Sequence, residues 1–352
     1  MRILHIVLSR GFAGSERSTA ESCNAQCERH DVALVLRRDH RRNGASIRDH
    51  LDPRVQCFEL PRFWFTRWHL GRVLRHWRPE LVHGHLRRAT RLIAQLRPPC
   101  ASVSTLHIGV NGPHFLQMDG LVCNARWQVR QLPKSYTGQA LKDHNSLTPH
   151  RRLSAEEIAG LRASWGVQPG ELLVGGVGRL TDVKGWDTLI AAVRSRPELK
   201  QLKLVLFGLG AAEARLQAQA AGDARIQLLG FRADVKDCYQ AFDVFVCPSR
   251  FEPLPRVVLE AMDAGTPVIT STADGCRELV EDHGGELFAI GDVQALAALL
   301  ADHVARPRAR QRPDLSAHDI AVSSQVMLGF YRELLARRDR QLLTEADAEL
   351  AL

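Results

Sequence analysis

Residues 251–262 read Phe-Glu-Pro-Leu-Pro-Arg-Val-Val-Leu-Glu-Ala-Met, and they closely follow the apolar run Val-Phe-Val-Cys at 244–247. A short apolar run of this kind predicts a buried strand. Proline fits the first turn of a helix but not its interior, so a helix should begin near Leu254 or Pro255. Glu252 then lies in the loop before that helix, and Glu260 lies more than one turn inside it. We expect this strand, loop and helix to present both carboxylates to one ligand.

The same alternation of strand and helix patterns runs along the chain on both sides of this segment. Helical spacing is found at 16–29, 70–77 and 154–164, the last with a capping box formed by Ser154 and Glu157. This alternation is typical of a parallel sheet with helices on both faces, so the fold class is α/β. The predicted strands are residues 2–8, 31–36, 81–83, 101–106 and 120–123 in the first half, and 172–176, 202–207, 226–229, 244–247 and 267–270 in the second.

A polar stretch at 134–170 interrupts this series and divides the chain. We therefore predict two doubly wound, Rossmann-like domains. The first covers residues 1–150 and the second 151–318, with 151–170 as the linker region. A helix at 319–338 and a charged tail at 339–352 complete the chain.

The composition is that of an ordinary globular protein: 352 residues, 45% hydrophobic and 24% charged. It excludes collagen, a coiled coil and general disorder. No apolar run approaches the roughly 18 residues of a membrane span. Arg10 and Gly11 end the first apolar run too early for a signal peptide, so a cytoplasmic location is expected. The eight scattered cysteines contain no CxxC pair, which favours free buried thiols over a zinc site.

Positive charge is concentrated in the first half of the chain. The net charge is +8, and residues 1–150 hold 23 basic but only 11 acidic residues. A basic half favours an anionic partner such as a phosphorylated glycolipid or a membrane surface. Nucleic acid is disfavoured, because no recognised DNA- or RNA-binding motif is present. The alternative is an arginine-rich surface that only interacts with solvent.

Two further motifs follow predicted strands. Residues 176–185 read Gly-Val-Gly-Arg-Leu-Thr-Asp-Val-Lys-Gly, which places Arg179 and Lys184 at the carboxyl end of a sheet, where cations can neutralise a diphosphate. A dinucleotide fingerprint is excluded because its third glycine is missing. The loop at 11–17 allows backbone near Gly14 to approach a phosphate. With a helix N-terminus for phosphate and two glutamates for hydroxyl groups, the residues point to a nucleotide sugar. Capping acids and solvated cations are the alternative reading.

Taken in order, these motifs resemble the retaining GT-B glycosyltransferases of glycosyltransferase family 4. The resemblance implies a GT-B fold, with two Rossmann-like domains facing across a cleft. The second domain would hold a nucleoside diphosphate sugar, the first would hold the acceptor, and the closing helix would cross back to the first. Three further segments carry the resemblance. They are Glu-Leu-Val-His-Gly-His at 80–85, Leu-Gly-Phe at 229–231 and Gly-Thr-Pro-Val-Ile at 265–269.

The resemblance also implies roles for individual residues. Glu252 would contact the donor sugar, Glu260 the ribose hydroxyls, and Arg179 with Lys184 the diphosphate. Two departures concern the phosphate site: Ala13-Gly14 replaces a more usual pair of glycines, and Pro255 stands where glycine is frequent. The remaining residues expected to bind the donor are Gly14, Phe231, Leu254 and the backbone N–H of Arg256.

The expected reaction is metal-independent hexosyl transfer with retention. No Asp-x-Asp occurs to hold a metal, and fixed cations stabilise a leaving diphosphate as its charge grows. The resemblance implies front-face transfer, in which the departing phosphate takes the acceptor proton. It places His107 near the reactive carbon, with His83 and His85 as competing candidates, although an isolated histidine is more often structural. The catalytic set is thus His107, Arg179, Lys184 and Glu252.

The acceptor side is less defined. Aromatic residues and arginines interleave at 61–78, as in segments that lie on anionic lipid. Within this stretch, the loop Phe63–Trp68 is expected to be exposed and to meet the lipid. The stripe Leu70, Val73, Leu74 and Trp77 favours packing of the next helix on the sheet. We expect an acceptor such as a lipopolysaccharide core, reached by peripheral contact with the inner face of the plasma membrane. The functional alternatives are an epimerase or hydrolase of nucleotide sugars, and a non-catalytic protein that binds them.

Overall fold

The computed structural model describes residues 1–42, 44–61, 65–148, 151–232 and 234–350. Phe63 and Trp64 of the predicted lipid-facing loop, residue 150 at the predicted domain boundary, and residues 351–352 of the predicted tail lie outside this part. The chain divides into two compact units. The first contains Met1–Ser146 and Ser316–Leu352, and the second contains Leu147–Leu315.

The first unit is built on a parallel sheet. Its strands are β1 (Arg2–Val7), β2 (Asp31–Arg37), β3 (Gln56–Leu60), β4 (Leu81–His85), β5 (Ala101–Leu106), β6 (Gly120–Cys123) and β7 (Gln139–Lys142). They are ordered β3-β2-β1-β4-β5-β6-β7. The helices between them are α1 (Gly14–Gln26), α2 (Thr66–Trp77), α3 (Leu86–Leu96) and α4 (Arg126–Arg130).

The second unit repeats this architecture around its own parallel sheet. Its strands are β8 (Leu172–Val177), β9 (Leu202–Phe207), β10 (Ile226–Gly230), β11 (Val244–Cys247), β12 (Val268–Ser271) and β13 (Glu286–Phe288), in the order β10-β9-β8-β11-β12-β13. The helices are α5 (Ala155–Ser164), α6 (Trp186–Arg194), α7 (Glu213–Ala220), α8 (Val235–Cys238), α9 (Arg256–Asp263), α10 (Asp274–His283) and α11 (Val293–Ala305). The predicted α/β class with two Rossmann-like sheets is confirmed.

The last helix, α12 (Ile320–Leu350), packs on the first unit. Its residues Met327, Phe330, Tyr331 and Leu334 share a core with strand residues that include Ile3. The helix continues through residues 339–350, which the sequence predicted as a charged tail. Seven of these twelve residues are Leu, Ala or Glu, which have high helix propensity.

The ten predicted strands are all present, and the capping box of α5 is confirmed. Ser154 N donates to Glu157 Oε2 at 2.8 Å, and Glu157 N donates to Ser154 Oγ at 3.1 Å. Three strands were not predicted. They are β3, β7 and β13, each at an edge of its sheet and partly exposed. Such strands contain no continuous apolar run, so the pattern used for buried strands misses them.

Among the described residues, no helix combines the length and the apolar character needed to span a bilayer. The prediction of free thiols is confirmed, since all eight cysteines are unpaired and every one except Cys57 is buried.

Candidate functional site

Each sheet has one point at which the strand order reverses, between β1 and β4 in the first unit and between β8 and β11 in the second. Ligands of doubly wound folds bind at such a switch point, beyond the carboxyl ends of the strands. The loop that carries Gly14 follows β1, and His85 ends β4. Lys184 follows β8, and Glu252 follows β11. Each unit therefore places predicted site residues at its own switch point.

In the second unit, an ion pair joins the two loops at the switch point. Lys184 Nζ contacts Glu252 Oε2, and the two side chains are only 19% and 11% exposed. Ser249 Oγ donates to the same carboxylate oxygen at 3.1 Å. Burial acts to lower the pKa of the Lys184 ammonium, but the Glu252 carboxylate offsets this and the pKa lies above its ordinary value. Lys184 is therefore a charged, positioned cation at neutral pH.

Two glycines allow the segments around this ion pair to approach one another. Gly275 N of α10 donates to the carbonyl oxygen of Glu252 at 3.0 Å. A Cβ on Gly275 would lie 2.1 Å from the carbonyl oxygen of Pro253. A Cβ on Gly185 would lie 2.0 Å from the carbonyl oxygen of Pro248. Gly185 belongs to a motif that the sequence analysis quoted, whereas no sequence pattern marked Gly275.

Helix α9 begins at Arg256 with Pro255 as its N-cap, which confirms the predicted start of this helix to within one residue. Leu254 and Arg256 are 4% and 9% exposed. Glu260 is 3% exposed, and its Oε2 accepts a hydrogen bond from Tyr239 OH at 2.9 Å. The two predicted glutamates thus have different partners, and sequence reasoning did not identify Tyr239 as the partner of Glu260.

Arg179 and Phe231 lie in the loops after β8 and β10 and face solvent. Within the described part of the chain, the Arg179 guanidinium has no hydrogen-bond or ion-pair partner. Phe231 is 60% exposed. It borders an open surface pocket of about 530 Å³ whose lining includes Trp165, Phe207 and Arg232. These residues are free to contact a ligand, and their predicted roles stay predictions.

In the first unit, histidines of neighbouring strands lie on one face of the sheet. His5 of β1 is the register partner of His83 in β4, and His85 follows two residues later on the same face. His5 Nδ1 is 3.0 Å from His85 Nε2, and His85 Nδ1 is 3.3 Å from His107 Nε2. On the other side of His5, its Nε2 lies 2.9 Å from Gln26 Oε1 of α1. The sequence predicted roles for three of these histidines, but none for His5 or Gln26.

All four imidazoles are neutral at pH 7. Burial lowers the pKa of His5 and of His107 to about 4. Burial also holds the pKa values of His83 and His85 well below the ordinary value, and neighbouring histidines add to this. His83 and His85 are 2% and 4% exposed, whereas His107 is partly exposed. Of the three histidines that the sequence analysis considered for the reactive carbon, His107 is the most exposed.

Three of these rings are close enough to be considered as metal ligands. His5, His83 and His85 each offer a nitrogen, and these atoms lie within 4.8 Å of one another. Both nitrogens of His83 are already used, by Tyr331 OH at 2.5 Å and by Thr105 Oγ1 at 2.8 Å. Because a metal would have to displace one of these bonds, the group is better described as a hydrogen-bonded network.

The N-terminal turn of α1 contains its own carboxylate. Glu16 is 4% exposed, and it accepts hydrogen bonds from Ser9 Oγ, from Ala13 N at 3.1 Å and from Ser15 Oγ at 3.0 Å. Apart from its chain neighbours and the backbone of its own helix, no described residue has an atom within 4 Å of the place where a Cβ on Gly14 would stand, so this space is open to a ligand. The predicted phosphate contact at Gly14 stays a prediction. The Glu16 carboxylate already accepts hydrogen bonds at this helix end, where a phosphate would also have to bind.

Two family models match this chain. Residues 12–142 match Glycosyltransferase Family 4, and residues 158–317 match Glycosyl transferases group 1. Together the models cover more than four fifths of the chain.

Curated relatives agree with these models. Lipopolysaccharide core biosynthesis glycosyltransferase LpsD of Rhizobium meliloti is 27% identical over 330 residues, which are 89% of this chain and 90% of that protein. An uncharacterized glycosyltransferase of Methanocaldococcus jannaschii is 38% identical over 146 residues, and this match spans 39% of this chain and 37% of the archaeal protein.

A solved structure shows the fold. The crystal structure of Anabaena HepE in complex with UDP and glucose matches 99% of this chain and 100% of its own, with a TM-score of 0.73 at 20% identity. At this identity the likeness concerns the fold alone. From the two family models, the relatives and the two parallel-sheet units, we conclude that the chain belongs to the group 1 and family 4 glycosyltransferases, which have the GT-B fold.

Proposed function

We propose that this chain is a retaining hexosyltransferase. It moves a hexose from a nucleoside diphosphate sugar, preferably a UDP-sugar, to a cell-surface glycan or glycolipid such as the lipopolysaccharide core. The observation that carries the proposal is the buried pair of Lys184 and Glu252 at the switch point of the second sheet. HepE, whose structure holds UDP and glucose, supports the donor class, and LpsD supports the acceptor class.

The second unit offers a partner for each part of the donor. Lys184 and the unpaired Arg179 suit the two phosphates, and the N-terminal turn of α9 offers backbone N–H groups to them. Glu252, next to Lys184, accepts hydroxyls of the hexose. Glu260 accepts hydroxyls of the ribose while Tyr239 orients its carboxylate. The pocket beside Phe231 has room for the base.

The transfer step needs no metal and no covalent intermediate. The bond from C1 of the hexose to the diphosphate breaks, and the acceptor oxygen bonds to C1 on the same face. The acceptor proton goes to the departing phosphate oxygen. Negative charge grows on the diphosphate in the transition state, where the positioned Lys184 cation stabilises it more than in the ground state. The role near the reactive carbon that the resemblance implies for His107 is part of this proposal.

The first unit supports an anionic acceptor. Arg88, in the first turn of α3 beyond His85, is partly buried and has no hydrogen-bond or ion-pair partner among the described residues. Burial and the positive charge of Arg37 at the end of β2 lower the pKa of the Arg88 guanidinium, while the Asp39 carboxylate, which pairs with Arg37, acts in the opposite direction. Leu86 precedes it with a left-handed φ of 67°, a strain that is often found at functional sites. A partly buried cation that has no partner among the described residues can bind a phosphate or carboxylate of the acceptor.

The predicted membrane contact has partial structural support. Leu70 and Leu74 of α2 are buried, as the apolar stripe predicted. Phe65 and Trp68 are 65% and 54% exposed, and the Arg72 guanidinium stacks 4.9 Å from the Trp68 ring centroid. We propose that this aromatic and basic end of α2 meets the anionic inner face of the plasma membrane.

Binding of the donor can be tested with a thermal-shift panel of UDP-, GDP- and ADP-hexoses. A UDP-hexose at 100 times its Kd should stabilise the protein by about 2.7 kcal/mol. Glu260→Ala should weaken binding of UDP by about 1–3 kcal/mol, since two hydroxyl bonds are lost. Glu198→Ala, at an exposed glutamate, is the matched control. A protein that no nucleotide sugar stabilises would contradict the proposal.

Turnover distinguishes the proposed reaction from its alternatives. With a truncated lipopolysaccharide core as acceptor, NMR of the product should show the anomeric configuration of the donor. Release of free sugar, or formation of an epimer, without any acceptor would instead support a hydrolase or an epimerase.

A further inference from the structure

We infer that a buried chain of hydrogen bonds holds His107 in its Nε2–H tautomer, so that its Nδ1 accepts a hydrogen bond from a ligand hydroxyl. The chain runs from Gln26 of α1 through His5 of β1 and His85 of β4 to His107 beyond β5. Its three contacts are 2.9, 3.0 and 3.3 Å long. It links the core of the first unit to the carboxyl edge of the sheet.

Every imidazole in this hydrogen-bonded chain carries a single proton on its two nitrogens. The pKa values of His5 and His107 are lowered by burial to about 4, and the pKa of His85 is also well below its ordinary value. A neutral imidazole donates from one nitrogen and accepts at the other. Each contact therefore contains one proton, and all contacts must point in the same direction along the chain.

The oxygen of Gln26 sets that direction, because Oε1 has no proton to donate. His5 Nε2 must donate to it, which leaves His5 Nδ1 to accept from His85 Nε2. His85 Nδ1 then accepts from His107 Nε2. The opposite direction would require the amide nitrogen of Gln26 to face His5, and every bond would then be reversed.

His107 is the last ring of this hydrogen-bonded chain, and one of its nitrogens is open. His107 Nδ1 has no hydrogen-bond partner among the described residues, and the ring is partly exposed. With its proton on Nε2, Nδ1 has a lone pair that accepts from a hydroxyl but cannot donate. The use of this acceptor for a saccharide rests on the proposed function, whereas the tautomer does not. His5, His85 and Gln26 are thus positioning residues.

The tautomers can be read directly from protein labelled with 15N in its histidine rings. Long-range 1H–15N correlation at pH 7.5 distinguishes Nε2–H from Nδ1–H for each ring. His107→Gln, His5→Gln and His85→Gln assign the three signals by their loss. We expect the Nε2–H pattern for all three rings in the wild type. An Nδ1–H pattern at His107 would overturn the inference.

Gln26→Met tests whether the direction is set at the far end of the chain. Without the acceptor oxygen, the tautomer ratio should shift by about tenfold, the worth of one buried hydrogen bond. The shift should occur at His5, His85 and His107 together, because a chain with one proton per contact reverses only as a unit. A change confined to His5, or no change at His107, would overturn the inference.

His83→Asn is the matched control. His83 is as buried as His85 and stacks on it with ring centroids 4.3 Å apart, but its nitrogens bond to Tyr331 and Thr105 outside the chain. Its replacement should leave the His107 tautomer unchanged, and a shift as large as in Gln26→Met would overturn the inference. The spectra contain no substrate, so inactivity towards all nucleotide sugars would count against the proposed function and not against the tautomer.

Discussion

Replacement of Lys184 by methionine is expected to destabilise the second unit by about 3 kcal/mol. The variant leaves the Glu252 carboxylate, which is 11% exposed, without its cation. Breaking a buried ion pair in this way costs about 3–5 kcal/mol. We take the lower end of that range because the pair lies in loops beyond the carboxyl ends of β8 and β11, and Ser249 still donates to the carboxylate.

The measurement is urea denaturation monitored by hydrogen exchange. Exchange in peptides from β8 and β11 reports on the unfolding of the second unit alone. The double variant Lys184→Met/Glu252→Gln should regain most of the lost stability, since neither charge is left unpaired. The double variant should nevertheless show no thermal stabilisation by a UDP-hexose. This pair of results would separate the structural role of the ion pair from its role in donor binding.

The matched control is Arg215→Met. Arg215 forms an ion pair with Asp182 in the same unit, but the side chains are 53% and 82% exposed. Exposed pairs contribute less than about 1 kcal/mol. If Lys184→Met cost no more than Arg215→Met, the buried pair would not exist as described, and the proposed donor site would lose its main support.

Three further predictions follow from the packing, the titration and the surface. Gly275→Ala should cost about 1–3 kcal/mol and abolish stabilisation by the donor, because its Cβ would meet the carbonyl oxygen of Pro253. Gly160→Ala, at a helical glycine with open space around it, should be neutral or stabilising, and equal effects in thermal unfolding would contradict the close approach. Lowering the pH from 7.5 to 5 should destabilise the first unit. The pKa of His5 is about 4 in the fold against an ordinary 6.5, so the unfolded chain binds the proton first. His5 alone then accounts for about 2 kcal/mol by pH 5; unchanged urea midpoints would show that the ring is not buried as a neutral base. In vesicle flotation at low salt, the protein should rise with anionic but not neutral vesicles, and Trp68→Ala should weaken this. Equal recovery with both vesicles would remove the electrostatic contact.

Much of the architecture could be predicted from local patterns. Buried parallel strands are continuous apolar runs, so strands such as β8 and β11 are visible in the sequence. A loop after a parallel strand must lie at the carboxyl edge of its sheet, which places Arg179 and Lys184 there. Edge strands such as β3 escape this reasoning because solvent covers part of them.

The direct partners of the site residues could not be predicted in the same way. Sequence reasoning assigned Lys184 to a phosphate and Glu252 to a sugar, without expecting that they would pair across 68 residues. It likewise considered three histidines as competitors, while the structure connects two of them in one hydrogen-bonded chain with His5 and Gln26.

Local patterns in the sequence were enough to predict the two parallel sheets apart from three edge strands, the loops at the carboxyl ends of the strands, and the excess of positive charge in the first half. Periodicity and turn chemistry act over a few residues, so they are readable locally. The hydrogen bonds and ion pairs between distant side chains depend on the folded arrangement of the strands and helices. His5 meets His85 across 80 residues and His83 meets Tyr331 across 248, because strand order and the packing of α12 bring together groups that no local pattern connects.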